Sequence, residues 1–337
     1  MNLSSPGLDA GWSARRVLVT GADGFLGYWL AQALAARGAR VWALTRPGFE
    51  NVWKLQQLRQ LPGVAIISTD ISDLAGISGI LRDGAIDTIY HLAANNTNTG
   101  GMVPPYEIFE TNIRGAYTIL EAARTAAQPA KVILASSKEV EDCFAATPSR
   151  KFHPYMVSKA SVELMARAYY DSSCLLTALV RSDNLYGGGD FNWSRLIPGT
   201  IRAVLNGETP VIRGNGLRER DYVYVEDAVA AYLAIGEQMD NPAIQGRWFR
   251  VATGTGTSVL EAVKQIIRAC GRPDLEPRVL NEKSDERVDT FHPQAFGQTV
   301  PGWKCQYSLE QGLARAYQWY RDFFKEKAPG SHSSPKC

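Results

Sequence analysis

Cysteine is scarce in this sequence and follows no pattern. The 337-residue chain contains only five cysteines, and no two of them form a Cys-x-x-Cys pair. An odd number of scattered cysteines argues against both a disulfide framework and a zinc site. The sequence therefore predicts a protein without a bound metal, located in the reducing cytoplasm.

Long apolar runs and an excess of one charge are also missing. No apolar stretch reaches the roughly 18 residues that a membrane-spanning helix needs, and the first residues lack the basic start and apolar core of a secretory signal. The 36 basic and 34 acidic side chains leave a net charge of only +2. This balance gives no general reason to expect a nucleic acid or an anionic membrane as a partner, so neither is predicted.

The chain does contain short β-branched runs that alternate with helical patterns. Six runs are typical of buried parallel strands: 17–20, 41–44, 64–67, 88–90, 132–134 and 177–180. One of the helical patterns between them runs from Tyr28 to Arg37, and Gly38 is expected to end it. The alternation predicts an α/β fold, a Rossmann-type doubly wound parallel sheet whose ligands bind at the carboxyl ends of the strands.

The regular alternation stops after the sixth run, where Gly- and Pro-rich loops and isolated helices follow. We expect one domain over residues 14–180, rejoined by about 223–253, and a smaller C-terminal lobe formed mainly by 181–325. A chain of this length favours about two domains. Residues 1–13 and 326–337 are predicted to be flexible tails.

A glycine-rich turn follows the first predicted strand and opens a helix. A side chain at its glycines would block the turn, the approach of a pyrophosphate or the packing of the helix. The amide groups at the helix N-terminus would then face the phosphates. An ordinary glycine-rich turn is the alternative, but the position after the first strand favours a dinucleotide site. The predicted contacts are Gly21, Asp23, Gly24, Phe25, Leu26 and Gly27.

The end of the second predicted strand bears on the choice between NAD and NADP. An acid there would bind the ribose hydroxyls of NAD, whereas an arginine suits the 2′-phosphate of NADP. The chain has Thr45 and Arg46 at this place and no acid. NADP is therefore slightly favoured, with a solvent-facing Arg46 over bound NAD as the alternative.

The ends of the third and fourth predicted strands add further cofactor contacts. Asp70 and Ile71 are placed to meet the adenine, although Asp70 as a plain helix cap is an equal alternative. Small residues after the fourth strand let the backbone lie beside the cofactor, and the predicted contacts there are Leu92, Ala93 and Ala94. His91, just before them, is predicted to be a packed structural residue.

Tyr155 and Lys159 lie four residues apart and hence on one face of a helix. A nearby cation lowers the pKa of a tyrosine, so this pair is able to act as an acid–base catalyst near neutral pH. Ser137 ends the fifth strand, where its hydroxyl would face the nicotinamide and bind the alcohol being oxidised. Strand-end serines followed by this pair, all downstream of a glycine turn, form a specific combination.

These motifs together resemble those of the extended short-chain dehydrogenase/reductase family, the nucleotide-sugar epimerases and dehydratases. The resemblance covers roughly residues 15–325. It is carried by the glycine turn, the strand-end serines and the Tyr–Lys pair, and by further segments: His91–Ala94, Thr111–Gly115, Asn184–Gly187, Arg220–Asp227, Gly302–Trp303 and Ser308–Leu313.

The resemblance implies an enzyme that acts on a nucleotide-diphosphate sugar. Ser137, Tyr155 and Lys159 would be the catalytic residues, with Lys159 also touching the nicotinamide ribose. The residues expected at the substrate are Asn184, Arg195, Arg220 and Arg287, since a guanidinium suits bidentate phosphate binding. The segment 181–325 would then be mainly the nucleotide-sugar lobe.

The residues after Ser137 bear on the reaction type. Glu139 stands where a dTDP-glucose dehydratase has its catalytic glutamate, and Lys138 replaces the aspartate that would protonate the departing C6 hydroxyl. The segment 184–198 is similar to that of CDP-glucose 4,6-dehydratases. We therefore predict a 4,6-dehydratase with Glu139 as a catalytic residue. A 4-epimerase is the alternative, followed by an NADPH-dependent ketosugar reductase and a non-catalytic dinucleotide-sensing protein.

The helical segments 105–127 and 155–171 carry apolar residues on more than one face, including Ile108, Phe109, Ile113, Tyr117, Leu164, Met165 and Tyr169. A helix that is apolar beyond one stripe needs a second partner. The family typically pairs these two helices into an intersubunit four-helix bundle. The sequence therefore predicts a homodimer.

Overall fold

The computed structural model describes residues 11–95, 103–148, 151–282 and 298–326. The strands are β1 (Arg16–Thr20), β2 (Arg40–Thr45), β3 (Val64–Ser68), β4 (Thr88–His91), β5 (Lys131–Ser137), β6 (Thr177–Ser182), β7 (Asn184–Tyr186), β8 (Val211–Ile212), β9 (Glu219–Arg220), β10 (Tyr222–Tyr224), β11 (Arg247–Val251), β12 (Thr257–Ser258) and β13 (Arg278–Val279).

The α-helices are α1 (Phe25–Ala36), α2 (Val52–Arg59), α3 (Leu74–Gly84), α4 (Pro105–Phe109), α5 (Gly115–Thr125), α6 (Glu141–Phe144), α7 (Pro154–Ser173), α8 (Leu196–Leu205), α9 (Val225–Glu237), α10 (Val259–Ala269) and α11 (Leu309–Glu326). A π-helical turn, Glu110–Arg114, joins α4 to α5, and a 3₁₀ turn, Lys138–Val140, precedes α6.

The central sheet has seven parallel strands in the order β11-β6-β5-β4-β1-β2-β3. The strand order reverses between β1 and β4, so a crevice opens at their carboxyl ends, where doubly wound sheets bind ligands. The predicted Rossmann-type α/β fold is confirmed, and each of the six predicted strands is present. The seventh strand, β11, comes from the C-terminal half of the chain and lies beside β6.

The sheet is covered by helices on both faces, and β1 illustrates why. Val17 and Val19 belong to one apolar cluster together with residues of α1 and α9. Leu18, between them, belongs to a second cluster on the other face, together with residues of α3, α5 and α7. Successive side chains of a strand point to opposite faces, so a continuous apolar run requires a buried environment on both sides.

The C-terminal part of the chain forms three small two-stranded sheets, β7 with β10, β8 with β13 and β9 with β12. Helix α11 then returns to the first half of the chain through aromatic contacts. The Trp53 ring of α2 lies edge-on to Trp319 and Phe323 of α11, with centroid distances of 5.6 Å and 5.2 Å. The two halves of the chain are therefore packed together beside the glycine turn.

The N-terminal tail prediction is wrong for the residues that the structure describes. Trp12 is fully buried, and its indole N–H donates to the Glu237 carboxylate at 2.6 Å. Its ring also packs against Tyr90. A large aromatic ring stabilises the fold when it is buried and its N–H finds an acceptor, which a prediction from Ser/Pro/Gly content overlooks. Residues 1–10 and 327–337 lie outside the described residues.

Among the residues that the structure describes, no helix is both long enough and apolar enough to cross a membrane.

Candidate active site

The glycine turn between β1 and α1 lies at the crevice of the sheet. Gly21 has φ +65°, and a Cβ there would come within 2.9 Å of the Ala93 Cα atom. A Cβ at Gly24 would come within 2.9 Å of the Gly21 carbonyl oxygen. Glycine is therefore required for the turn to lie against the segment after β4.

The N-terminus of α1 fits an anionic group. Gly24 is the N-cap residue of α1, and no side chain of the described residues caps the backbone amides at this end of the helix. The first turn of α1 also carries no acid. Exposed amide groups and the positive end of a helix dipole are suited to a pyrophosphate, so the residues present fit a dinucleotide. Asp23 holds the turn in place, since its carboxylate accepts from the Asn51 N–H at 2.9 Å.

The predicted adenosine contacts lie at the ends of β2 and β3. Thr45 is buried, whereas Arg46 is exposed and its guanidinium lies 4.0 Å from the centroid of the Phe49 ring. The Asp70 carboxylate accepts from the Ser72 N–H and hydroxyl, and these bonds hold its pKa below the usual value. Asp73 rather than Asp70 caps α3, so the alternative role of Asp70 as that cap is wrong.

The segment after β4 is fixed from β1. The Thr20 hydroxyl accepts from the N–H groups of both Leu92 and Ala93 at 3.1 Å, and it is 3.0 Å from Nδ1 of His91. Burial lowers the pKa of His91 to about 3, with the Lys159 charge adding to the effect. His91 is thus a packed, neutral structural residue, as predicted, and it helps to hold the backbone beside the glycine turn.

The predicted catalytic residues come from β5 and α7. Ser137 ends β5, and the Lys159 ammonium donates to the carbonyl of Ala135 on the same strand at 2.8 Å. The same ammonium lies 5.8 Å from the centroid of the Tyr155 ring. The face of α7 that carries Tyr155 and Lys159 therefore packs against the end of β5, which is the strand that Ser137 ends.

The prediction that Lys159 lowers the pKa of Tyr155 is wrong for the structure as it stands. Burial raises the pKa of Tyr155 to about 12, and the Glu139 charge raises it further, while Arg195 acts in the opposite direction. Burial also lowers the pKa of Lys159 to about 8. The loss of hydration outweighs the attraction of the Arg195 guanidinium, and the Lys159 ammonium is not among the causes of the shift, so the phenol is protonated at neutral pH.

Lys138 is engaged in an ion pair with a buried carboxylate. Its ammonium lies 2.7 Å from the Asp183 carboxylate, whose side chain is fully buried. Arg250 binds the other oxygen of Asp183 through Nε at 2.9 Å. Two cations thus neutralise one buried carboxylate, which keeps Lys138 bound to the residue between β6 and β7.

Glu139 lies next to His153, whose ring stacks on that of Tyr155, the predicted catalytic tyrosine. Its backbone N–H donates to the Ser137 hydroxyl at 3.3 Å, and its carboxylate lies 3.5 Å from Nε2 of His153. The side chain is 30% exposed, and its charge is felt at Tyr155. Glu139 is therefore placed among the predicted catalytic residues and is not a fully solvated side chain.

The predicted substrate residues are spread over the C-terminal lobe. The Asn184 amide donates to the Asp221 carbonyl at 3.0 Å, which ties it to the residue after Arg220. Arg220 lies on β9, paired in register with Thr257. Arg195 forms an ion pair with Asp190 at 3.0 Å. Arg287 lies outside the described residues.

A cleft of about 380 Å³ lies next to Arg220. It is lined by Tyr222 of β10, by threonines that follow β11 and by residues 305–309 at the start of α11. Asp221 shapes one wall, because its buried carboxylate accepts from the Thr253 and Gly254 N–H groups at 3.0 Å and 2.8 Å. None of the predicted catalytic residues lines this cleft.

Sequence reasoning missed two features of the site. His153 caps the N-terminus of α7, where its ring stacks on that of Tyr155 with an interplanar angle of 3°. Glu163 is buried and binds Arg181 through Nε at 2.9 Å and through the terminal nitrogen at 2.6 Å. The only signal for His153 was its place just before Pro154 at the start of a helix, and no sequence signal pointed to Glu163.

The described residues contain no group of three or more His, Cys, Asp or Glu side chains placed to hold a metal ion.

Residues 17–248 match the model of the NAD dependent epimerase/dehydratase family. The dTDP-4-dehydro-6-deoxy-D-allose reductase of a Streptomyces species is 30% identical in an alignment 337 positions long, which covers 92% of this chain and 97% of that protein. The UDP-glucose 4-epimerase of Mycolicibacterium smegmatis is 30% identical in an alignment 322 positions long. This alignment covers 91% of this chain and 99% of that enzyme.

A solved structure gives a similar result. The dTDP-glucose 4,6-dehydratase of Streptomyces venezuelae, solved with NAD bound, superposes with a TM-score of 0.74 at 25% identity, covering 91% of this chain and 97% of that one. These relatives carry the names of three different reactions. Similarity alone therefore does not select among them.

Proposed function

Because the chain belongs to the NAD-dependent epimerase/dehydratase family of nucleotide-sugar enzymes, we propose that it is a nucleotide-hexose 4,6-dehydratase. The observation that carries this choice is the position of Glu139, two residues after Ser137 and 3.5 Å from His153, whose ring stacks on that of Tyr155. A dehydratase needs a base for the C5 proton, whereas a 4-epimerase needs only Ser137, Tyr155 and Lys159. The proposal therefore rests on a carboxylate that the alternative reaction does not use.

The proposed mechanism begins with the sugar bound between β5, α7 and the C-terminal lobe. A nicotinamide dinucleotide held by the glycine turn and the segment after β4 would supply reversible hydride chemistry at C4. Ser137 and Tyr155 hold the C4 oxygen, and Tyr155 takes its proton. A positive charge beside the phenol, such as an oxidised nicotinamide ring carries, opposes the effect of burial on the pKa of Tyr155.

The second part of the mechanism uses the ketone at C4. A ketone makes the proton on the adjacent C5 acidic, and Glu139 removes it while the C6 hydroxyl departs. Asn184 and Arg220 hold the diphosphate of the substrate from the C-terminal lobe, since a guanidinium is suited to bidentate phosphate contacts. The domain division at about residue 180 is part of this proposal, with the sheet binding the dinucleotide and residues 181–325 mainly the sugar nucleotide.

The test is incubation with UDP-, CDP-, GDP- and dTDP-hexoses in deuterated solvent, followed by mass spectrometry. A dehydratase yields a product that has lost one water and carries deuterium at C5. An unchanged mass with a new isomer would mean 4-epimerisation and would contradict the proposal. A product that gains two hydrogens only when a reduced cofactor is consumed in equal amount would mean a reductase.

The cofactor is a nicotinamide dinucleotide, as in the family, and its preference for NADP is a separate prediction that rests on Arg46. The solved relative was determined with NAD bound, so the comparisons do not support NADP. If the exposed guanidinium binds the 2′-phosphate, Arg46→Ala weakens NADP binding by about tenfold, the equivalent of one charged hydrogen bond of about 1.5 kcal/mol. NAD affinity is the internal control. Equal NADP affinities for both proteins, measured by calorimetry, would exclude this role of Arg46.

A homodimer through α4, α5 and α7 is also proposed. These helices expose large side chains, since Tyr106 is 64%, Tyr117 42% and Leu164 62% exposed. Such a surface is typical of a face that a second copy covers. Light scattering is expected to give a dimer for the wild type and a monomer for Leu164→Arg. The matched control is Leu217→Arg, because Leu217 is 60% exposed but lies on none of these helices. A monomeric wild type at micromolar concentration would contradict the proposal.

A further inference from the structure

A nucleotide-hexose dehydratase needs an acid as well as a base. The C6 hydroxyl leaves as water only if it receives a proton, and in the relatives that the sequence resembles an aspartate before the glutamate provides it. Here that position is Lys138, whose ammonium lies 2.7 Å from the fully buried Asp183 carboxylate. Tyr155 is occupied with the C4 oxygen. Neither residue is placed to protonate the leaving group.

His153 is the side chain that the structure places next to the base. Its Nε2 lies 3.5 Å from a carboxylate oxygen of Glu139, and its ring lies parallel to that of Tyr155 at a centroid distance of 6.4 Å. The backbone fixes this position, because His153 is the N-cap of α7 and its Nδ1 accepts from the Met156 N–H at 3.4 Å. Imidazole gains and loses a proton near neutral pH, which a general acid must do.

The position of His153 next to Glu139 also suits protonation of the hydroxyl that leaves from C6. C5 and C6 are bonded neighbours, so the oxygen on C6 lies within a few ångströms of any group that touches the C5 hydrogen. His153, 3.5 Å from the base that touches the C5 hydrogen, therefore lies in the neighbourhood of the oxygen on C6. His153 is 35% exposed, which lets it recover a proton from solvent after each turnover.

We propose that His153 is the catalytic acid that protonates the C6 oxygen while Glu139 removes the C5 proton. This assignment rests on the dehydratase function proposed above. The acid is the imidazolium form of His153, in which Nδ1 is protonated and gives up its 3.4 Å contact with the Met156 N–H. Its Nε2 proton passes to the C6 oxygen, the C5–H and C6–O bonds break, the C5=C6 double bond forms and water leaves. The hydride removed from C4 would then be delivered to C6, Glu139 gives C5 a proton that has exchanged with solvent, and His153 takes a proton from solvent.

The test compares His153→Asn with His153→Asp. Both side chains are good helix N-caps, so both keep the start of α7, but only aspartic acid has a proton to donate. His153→Asn is expected to oxidise C4 and to exchange the C5 hydrogen with deuterated solvent, while water loss falls by about 10²- to 10⁴-fold. His153→Asp is expected to recover part of that loss. The substrate in this test is whichever UDP-, CDP-, GDP- or dTDP-hexose the wild type dehydrates.

A second substrate separates loss of the acid from damage to the site. A 6-deoxy-6-fluoro sugar on the same nucleotide releases fluoride, which needs far less help from a proton than hydroxide does. His153→Asn is expected to eliminate fluoride at close to the wild-type rate. A variant that fails equally with both sugars, or that releases water within severalfold of the wild-type rate, would overturn the role of His153.

Failure of the underlying function is distinguishable from failure of this inference. If the wild type releases no water from any sugar, the dehydratase proposal is wrong and the acid role of His153 falls with it. If the wild type dehydrates and His153→Asn does so equally well, only the assignment of His153 is wrong.

Discussion

Replacing Tyr155 with phenylalanine is expected to lower kcat by about 10²- to 10⁴-fold, because the change removes only the group that exchanges a proton with the sugar hydroxyl. The ring keeps its contacts with His153 and with the Lys159 ammonium. Substrate affinity, measured by calorimetry, should therefore change little. A loss in kcat at constant affinity indicates an interaction made only in the transition state.

The matched control for this variant is Tyr169→Phe. Tyr169 lies on the same helix, and its hydroxyl donates to the Glu121 carboxylate at 3.1 Å, away from β5. Its loss is expected to leave turnover within a factor of two or so, as for most surface substitutions. Near-normal activity of Tyr155→Phe would show that another group transfers the proton.

Glu139→Gln is expected to separate oxidation from elimination. Glutamine has nearly the shape of glutamate but is not a base, so C4 is still oxidised and the cofactor accumulates in its reduced form. Release of the dehydrated product should fall by about 10²- to 10⁴-fold. Removing the Glu139 charge also takes away one cause of the raised pKa of Tyr155, so the oxidation step should not become slower. Absorbance of the reduced nicotinamide and mass spectrometry of the sugar follow the two steps separately.

Glu141→Gln serves as the control, since Glu141 lies two residues further on and contacts Arg250 at 3.4 Å. It should dehydrate the sugar at close to the wild-type rate. Equal water release from Glu139→Gln and the wild type would contradict the role of Glu139. A wild type that never exchanges the C5 hydrogen with solvent would do the same and would favour the 4-epimerase.

The sequence predicted those features that depend on local pattern. The six strands were predicted correctly because a buried parallel strand must be apolar on both faces. In β1, for example, Val17 and Leu18 pack into clusters on opposite sides of the sheet. The prediction that positions 21 and 24 require glycine was correct, because a Cβ atom at either position would come too close to neighbouring backbone atoms.

Features that depend on distant parts of the chain were not predictable in this way. The ion pair of Lys138 requires Asp183, and the buried indole of Trp12 requires the Glu237 carboxylate as its hydrogen-bond acceptor. The pKa of Tyr155 is raised because neighbouring parts of the fold exclude water from its ring. No local pattern encodes these contacts. His153 was missed for the same reason, since its significance comes from Glu139 on another element.

The ion pairs around Asp183 restrict the mutational routes by which this active site can diverge. An aspartate introduced at Lys138 would face the fully buried Asp183 carboxylate with only Arg250 left to neutralise both, and two close carboxylates cannot both ionise without a large cost. We therefore expect positions 138, 183 and 250 to show epistasis, and an aspartate substituted at Lys138 alone to be deleterious. A chain that had once acquired the lysine would retain it, and selection for an acid would act on neighbouring positions instead.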